Sequence, residues 1–593
     1  MFFSAYVGTE AGIPPWREAL ARHARHLGLE LRVEAYPLAD LRTLSLGWLE
    51  HPLSGSQGGR EETERRVVAG VLVFGTMALD GDANVATLTA SLAGSEIRVA
   101  VPPASAQQFC YTRTPHGYLL ADDLRLFPRL VDVDVDERAV YALLRYGAIP
   151  PPLTLYAQVR RIPNGHELCL PAGGREAVCT PTFRLTELPH QNGGASRADG
   201  WVAETLDAIL ARVPWSAVLY FSGGVDSGLM AARLHRLGRN DVRLLNYCFS
   251  PEDEESRLAL RMAARLGFEC HQIQHDGHRV GAMLERVGRD YSFPFGDLSA
   301  IPTNLLVHES LPLAGESRTV IEGTGADGSF GLSTTYRKKW QRAYNVPRPL
   351  RRLAEAAYRG LQLWKYDWRL EAAGRLLSRS ARLPLGHAVL AQNAFQRIAY
   401  TIPDDVQGEL ELAIRASVEV MTAGADALTQ LSFLDLVWAC AGRMAPKSFD
   451  PLRAHGIRPL YPFLQQSMVS VSASLPWAVK CTAGQDKALL KRLLARDVPA
   501  GWVHRPKTGF TRRARATFAL APVQEFLHDV VLSPHNPVLD YCQPEAVRYL
   551  AERSRHRPLG DGANAFLWVL MFTSGWVRQV STGAERSLVA ALA

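Results

Sequence analysis

Residues 216–234 read SAVLYFSGGVDSGLMAARL: a short apolar run, a glycine-rich turn and a helix-forming run, with no spacer between them. This junction constrains the fold more than any other stretch, because a buried strand that feeds directly into a helix belongs to a parallel sheet with helices on its faces. Gly223 and Gly224 let backbone N–H groups approach an oxyanion without a Cβ in the way, and the helix N-terminus adds free N–H donors and partial positive charge. The hydroxyls of Ser222 and Ser227 can donate to the same oxygens. Asp226 repels phosphate by itself, so its natural role is to hold Mg²⁺. The bland alternative is a capped helix after a glycine turn. The complete six-residue pattern, Ser222-Gly223-Gly224-Val225-Asp226-Ser227, at a strand-to-helix junction favours nucleotide binding. It is not a GxxxxGK[ST] loop, which disfavours simple γ-phosphate hydrolysis.

The surrounding chain keeps the same rhythm. WVAETLDAILARV is amphipathic, DVRLLNYCFS reads as a strand, ESRLALRMAARLG as a helix and ECHQIQ as another strand. A second acidic, glycine-rich element, VIEGTGADGSFG at 320–331, follows an apolar strand end. Its Gly323, Thr324, Gly325 and Asp327 would lie at the strand ends where ligands of α/β sheets bind, and Asp226 and Asp327 together could clamp Mg²⁺ on a pyrophosphate.

The first 185 residues read instead as short β-branched strands broken by Gly, Pro and Asp, as in VVAGVLVFGTMALDG, ANVATLTASLAG and EIRVAVPP. Residues 186–200 turn polar and Gly-rich, the best linker candidate. From about Thr335 onward the chain reads as mostly helical. The expected organisation is therefore a front unit at 1–185, a linker at 186–200 and an α/β unit at 201–593, with a basic helical insert at 335–430.

Composition narrows the class. The 593 residues are 47% hydrophobic and 21% charged, which fits a multidomain globular chain. Its eight cysteines are scattered without CxxC or Cys/His spacing, so a zinc site or disulfide framework is not expected and a reducing cytoplasm fits. The N-terminus lacks the basic-then-apolar pattern of a signal peptide, and no apolar run is long enough to span a bilayer. There are only eight lysines against fifty-eight arginines. A lysine kept in such a background suits a place that needs a compact ammonium.

These pieces, in this order, resemble the asparagine synthetase family, class B-like, whose synthetase domain carries SGGxDS, a later SGxGxDE-like loop and a PFLD segment. Here they read SGGVDS, EGTGADG and YPFLQ. FPFGDLSAIPTNLL resembles the family's acidic substrate-side segment and makes Asp297 a candidate there. GRMAPKSF is similar to the stretch before PFLD. DKALLKRLL and HRPKTGF resemble the family's Lys-containing helix and Lys-Gly-Phe loop, which makes Lys487 and Lys507 candidate catalytic residues on the pyrophosphate. GYLLADDLRLFPRLVDVDVDERAVYALLRYGAIPPPLTLYAQVRRIPNGHEL resembles the end of the family's glutaminase domain. The resemblance implies an N-terminal Ntn-type αββα sandwich followed by an α/β ATP-pyrophosphatase domain with a large helical part, with ATP and Mg²⁺ as its requirements.

The departures redirect the expectation. Glutaminases of the family expose a cysteine as the first residue; position 2 here is Phe, and the nearest cysteine is Cys110. The front unit therefore reads as an inactive remnant, and the attacking amine as the substrate's own. Two branches resemble this: β-lactam synthetases and lasso peptide cyclases. The β-lactam branch carries a Tyr where Thr324 stands, and the Glu of the family's DE pair is replaced by Gly328.

Residues 337–397 hold fourteen Lys or Arg against three acidic residues, with Trp340, Tyr344, Tyr358, Trp364, Tyr366 and Trp368 interleaved. Such a segment can grip a peptide, a protein or RNA, or can simply be amphipathic helices with solvated arginines. It tilts the expectation toward a peptide: a leader-free precursor core whose Asp or Glu side chain is adenylated and whose N-terminal amine closes the ring. A leader peptidase and a leader-recognition protein would be its partners. A β-lactam-type small-molecule ligase and an RNA-modifying or RNA-binding protein are the alternatives, with nucleic acid the less favoured partner.

Overall fold

The computed structural model describes the chain except for residues 1, 9, 38–42, 51–62, 69–70, 77–86, 92–96, 172–175, 189–194, 251, 276–277, 332–346, 348, 351–352, 354–356, 358–398, 483–484, 506–513, 557–558, 560 and 584–593. The basic segment 337–397 thus lies almost wholly outside the described residues, and Lys507 lies outside them as well.

Among the described residues, twelve strands build the front unit: β1 (Phe2–Gly8), β2 (Glu30–Pro37), β3 (Thr43–Glu50), β4 (Thr63–Val68), β5 (Val71–Thr76), β6 (Thr87–Ser91), β7 (Ile97–Ala100), β8 (Cys110–Thr114), β9 (Gly117–Ala121), β10 (Arg160–Arg161), β11 (His166–Leu170) and β12 (Val178–Pro181). They form two antiparallel sheets, ordered β10-β8-β9-β1-β3-β2 and β12-β11-β7-β6-β5-β4. Alternation along β1 explains how they pack. Phe3, Ala5 and Val7 face inward and share a core with Leu44 and Leu46 of their own sheet and Val99, Leu168 and Leu170 of the other. Tyr6 faces the opposite way, onto Trp16 and Leu20 of helix α1 (Ile13–Leu27). The Trp16 indole N–H donates to Ser4 Oγ at 3.0 Å, which satisfies a polar group inside that contact.

Helix α2 (Glu137–Tyr146) starts where Asp136 accepts the Arg138 N–H at 3.0 Å and ends at Gly147 in the left-handed region. Its buried face does not stay within the front unit. Leu143 and Tyr146 belong to one apolar cluster with Trp438 and Phe572, so the front and rear parts share a core.

Among the described residues the rear part holds a five-stranded parallel sheet of β13 (Val218–Tyr220), β14 (Arg243–Cys248), β15 (Cys270–Gln274), β16 (Thr319–Ile321) and β17 (Arg458–Leu460), in the order β15-β14-β13-β16-β17. Leu219 and Phe221 pack under helices α3 (Ala195–Ala211), α4 (Val225–Arg236) and α5 (Glu254–Arg265). Val218 and Tyr220 pack on the other face, against Leu305, Leu306 and Val307 of the helix Ala300–Leu313. Cover on both faces is why the strand β13 is uniformly apolar rather than alternating.

One expectation changes. The polar stretch 186–200 is not loop throughout, because α3 begins at Ala195 and its Ala198 is already buried in the rear core. The described residues after Thr335 are mostly helical, as expected, and RPL adds the strand β17 at the sheet edge, paired parallel with β16. An edge position tolerates Pro459, which has no N–H to donate. No helix among the described residues is long and apolar enough to cross a membrane.

Candidate active site

From β13 the chain moves outward to β14 and β15 on one side of the sheet, then returns to β16 and β17 on the other. The reversal opens a crevice between the carboxyl ends of β13 and β16. The two glycine-rich turns found in the sequence leave those two strands, so topology alone brings them together.

After β13, Gly223 turns the chain at φ +66°, and a Cβ there would lie 2.8 Å from the Cα of Ala259. The loop therefore rests directly on α5, as only glycine allows. Ser222 N–H donates to Ser227 Oγ at 3.2 Å, Ser222 Oγ lies 3.3 Å from Ser227 Oγ, and Gly224 N–H donates to Ser222 Oγ at 3.2 Å. Gly224 is the residue before the helix, Val225 its first residue, and Asp226 stands in the first turn of α4. Arg505 fastens the loop from outside: its guanidinium donates to the Gly223 carbonyl and to Glu255 Oε1, each at 3.2 Å.

After β16, Glu322 extends the strand and Gly323 packs against α4; a Cβ at Gly323 would sit 3.2 Å from the Cβ of Asp226. Thr324 Oγ1 donates to Glu322 Oε1 at 2.7 Å, and Gly325 takes φ +109° against Leu464 before a short helix carrying Asp327. Ser448 donates to the other oxygen of Glu322 and lies 2.8 Å from the buried Tyr461 hydroxyl. Gly328 explains the missing second acid of the turn. A Cβ there would lie 2.6 Å from the Cα of Leu436, so the chain Asp435–Met444 runs where a larger residue would stand.

Lys487 joins the two turns. Its ammonium donates to Asp226 Oδ1 and Oδ2 at 2.7 and 2.6 Å and lies 2.7 Å from Asp327 Oδ1. Lys487 is buried, and burial alone would lower its pKa; the two carboxylates outweigh that and hold it above its ordinary value. Its backbone sits at φ +54°, and its stem passes Gly331, where a Cβ would be 2.8 Å from Lys487 Cγ. Among the described residues no group of three or more His, Cys, Asp and Glu gathers as a metal cage. Two carboxylates close enough to share one cation nevertheless fit Mg²⁺, which takes one or two protein carboxylates and completes its shell with phosphate and water.

Asp297 stands on a separate segment, just before the helix Ala300–Leu313. Ser299 donates to its Oδ1 through the backbone N–H at 2.9 Å and the hydroxyl at 2.7 Å, and Lys447 Nζ donates to Ser299 Oγ at 3.3 Å. Burial would raise the Asp297 pKa, but the charges of Lys447 and Arg443 and the Ser299 hydrogen bonds bring it below the usual carboxylate value. Sequence reasoning singled out none of Glu322, Arg443, Lys447, Ser448 and Arg505, although the segments EGTGADG, GRMAPKSF and HRPKTGF that carry the resemblance contain them. The scarcity of lysine could have flagged Lys447.

A parallel sheet covered on both faces, with a glycine turn and two carboxylates at its switch point, defines an α/β domain built to bind a ligand at its carboxyl edge. The chain belongs to the Asparagine synthase family, which it matches over residues 205–578. It is 26% identical over 392 residues to a putative glutamine-hydrolyzing asparagine synthetase of Mycobacterium tuberculosis (strain ATCC 25618 / H37Rv), covering 64% of this chain and 58% of that protein. It is 22% identical over 406 residues to a glutamine-hydrolyzing asparagine synthetase of Bacillus subtilis (strain 168), covering 64% of this chain and 59% of that one. This chain thus spans less than two thirds of the length of either relative. Among solved structures, an NH3-dependent NAD synthetase from Campylobacter jejuni aligns at a TM-score of 0.18 and 15% identity, over 38% of this chain and 96% of that one.

Proposed function

We propose that this chain is an ATP-dependent ligase that forms an amide bond by adenylating a carboxylate and releasing AMP and pyrophosphate. The observation that carries the reading is the convergence of Asp226 and Asp327, from two separate turns, on one cation beside the Ser222–Ser227 loop. Family membership supports the same chemistry.

ATP is a substrate here. The N–H groups of the loop and the hydroxyls of Ser222 and Ser227, which bond one another in the free loop, turn to its phosphate oxygens. Asp226 and Asp327 would hold Mg²⁺, which when bound neutralises charge on the pyrophosphate. Lys487, freed from part of its pairing with the carboxylates, donates to the leaving oxygens. Lys507 belongs to the same proposal as a stabiliser of charge in the transition state. A substrate carboxylate oxygen forms a bond to the α-phosphorus while the bond from that phosphorus to the bridging oxygen breaks, and pyrophosphate departs. An amine then attacks the acyl carbon, loses a proton to a base, and AMP leaves with the electron pair of the acyl–oxygen bond.

We take the finer reading to be macrolactam formation: the Asp or Glu side chain of a leader-free core peptide is activated and its own N-terminal amine closes a lasso peptide ring. Its support is the source of the amine. The thiols of Cys110, Cys179, Cys270, Cys440 and Cys542 are all held above their ordinary pKa by desolvation, the opposite of an activated nucleophile, which favours an amine brought by the substrate. The front unit is on this reading an Ntn-type remnant. The test is mass spectrometry of a candidate core peptide incubated with the protein and Mg-ATP: a product lighter by one water is expected, and turnover of a free amino acid with no such product contradicts the peptide reading.

A further inference from the structure

Around the start of the helix Pro446–Ala454 lies a cluster of charge that neither turn uses. The stretch Asp435–Met444 is a π-helix, a form that occurs often at functional sites, and it runs straight into the helix Pro446–Ala454. Arg443 lies in the last turn of the first and Lys447 in the first turn of the second, four residues apart. The Nε and Nη1 of Arg443 are buried without a hydrogen-bond partner among the described residues. Lys447 is 8% exposed, and its hydrogen bond there is the one to Ser299. The acidic member of the cluster is Asp297, whose Oδ1 already accepts two hydrogen bonds from Ser299.

This trio carries two positive charges and one negative. Guanidinium nitrogens taken from water without partners are costly, and a surplus of positive charge in a partly buried site is compensated when an anion joins it. The cluster also has a fixed relation to the ATP loop. Ser448, next to Lys447, donates to Glu322; Glu322 precedes Gly323; and Gly323 packs on Asp226.

We infer that Arg443 and Lys447 form the seat of the carboxylate that this chain activates, an Asp or Glu side chain presented by the acceptor peptide. This rests on the adenylation reading and names the recognition element of the same site. Arg443 offers the forked donor geometry that matches a carboxylate, and Lys447 the point charge beside it. Asp297 and Ser299 position Lys447 and keep the seat from carrying two uncompensated cations when it is empty. Arg443 and Lys447 are specificity-determining residues on this account, and a neutral amide in place of the carboxylate would leave the seat with its charge unmatched.

The test uses the full chain with Mg²⁺ and the α,β-methylene analogue of ATP, then titrates N-acetyl-aspartic acid α-amide by calorimetry, with N-acetyl-asparagine α-amide as the neutral control. The wild-type protein is expected to bind the aspartate probe and not the asparagine one. R443Q and K447Q are each expected to weaken the aspartate probe by about tenfold or more, the worth of one charge-assisted hydrogen bond, and to change affinity for the ATP analogue by less than about twofold. R443K, which keeps the charge, should recover part of the loss, and it decides the question if R443Q lowers the thermal midpoint. Equal binding of the two probes, wild-type affinity in both glutamine variants, or no aspartate binding by wild type that does bind the ATP analogue would each overturn the seat. Failure of the wild type to bind the ATP analogue would instead sink the adenylation reading, and the seat with it.

Discussion

Lys487 reaches Asp226 across 261 positions of sequence and donates to both of its carboxylate oxygens, while Asp327 takes the same ammonium from the other turn. One cation thereby holds together the two turns of the crevice. Replacing Lys487 by Met leaves two carboxylates facing each other. Losing one partner of a buried pair costs about 3–5 kcal/mol, but Asp327 is 47% exposed, so the expected loss is about 2 kcal/mol, read from urea unfolding. Mg²⁺ should raise the thermal midpoint of K487M more than that of the wild type, because the variant has the two carboxylates free.

Gly328 is where the second acid of the turn would stand, and Leu436 fills the space: a Cβ would meet its backbone Cα at 2.6 Å and N at 2.8 Å. Backbone cannot swing away as a side-chain tip can. G328A is expected to lower stability by about 1–3 kcal/mol in chemical denaturation, the usual range for overpacking, and G328E by more.

These two sites show what could be seen in the sequence and what could not. The loop at 222–227 was legible because strand, turn and helix are consecutive, and the chemistry depends on neighbours in the chain. Lys487 was legible through the rarity of lysine and its matching segment, but its bond to two carboxylates was not, since that is a contact between three distant segments. β17 was missed because three residues with a central proline carry no periodicity; parallel pairing with β16 makes the strand. Arg443 and Lys447 lie in the GRMAPKSF stretch that carries part of the resemblance, but their approach to Asp297 is a contact between distant segments and could not be read there. The start of α3 was hidden by Asp199 and Gly200 in its second turn, which weigh against helix until Ala198 and Val202 are buried.

Burial pushes the Asp450 carboxyl up to about 6 from 3.8, against the opposing pull of Arg453 and the hydrogen bonds from Ser292. A carboxyl raised in the folded state contributes stability that is full below pH 3.8 and is lost as pH rises through about 6. D450N removes this dependence. Between those pH values the stability of the variant relative to wild type should rise by up to about 3 kcal/mol, measured by denaturation at matched ionic strength.

Asp122 and Arg453 are each 1% exposed and 3.0 Å apart, and they tie the front unit to the helix that carries Lys447 and Ser448. Asp122 also accepts the Phe3 N–H at 2.7 Å and the Gln107 side-chain amide at 2.6 Å. D122A removes one carboxylate partner of a buried guanidinium and is expected to cost about 3–5 kcal/mol. The double variant D122A/R453M should recover part of that loss, and the coupling from the cycle measures the pair.

The central claim is that a substrate carboxylate attacks the α-phosphorus of ATP at the Ser222–Ser227 loop. It is tested by supplying a core peptide whose single acidic side chain carries ¹⁸O in its carboxylate, and analysing the nucleotide product by mass spectrometry. The account predicts AMP bearing one ¹⁸O, pyrophosphate in equal amount, and a peptide lighter by one labelled water. Amide formation with AMP free of label, or with ADP and phosphate in its place, would contradict it.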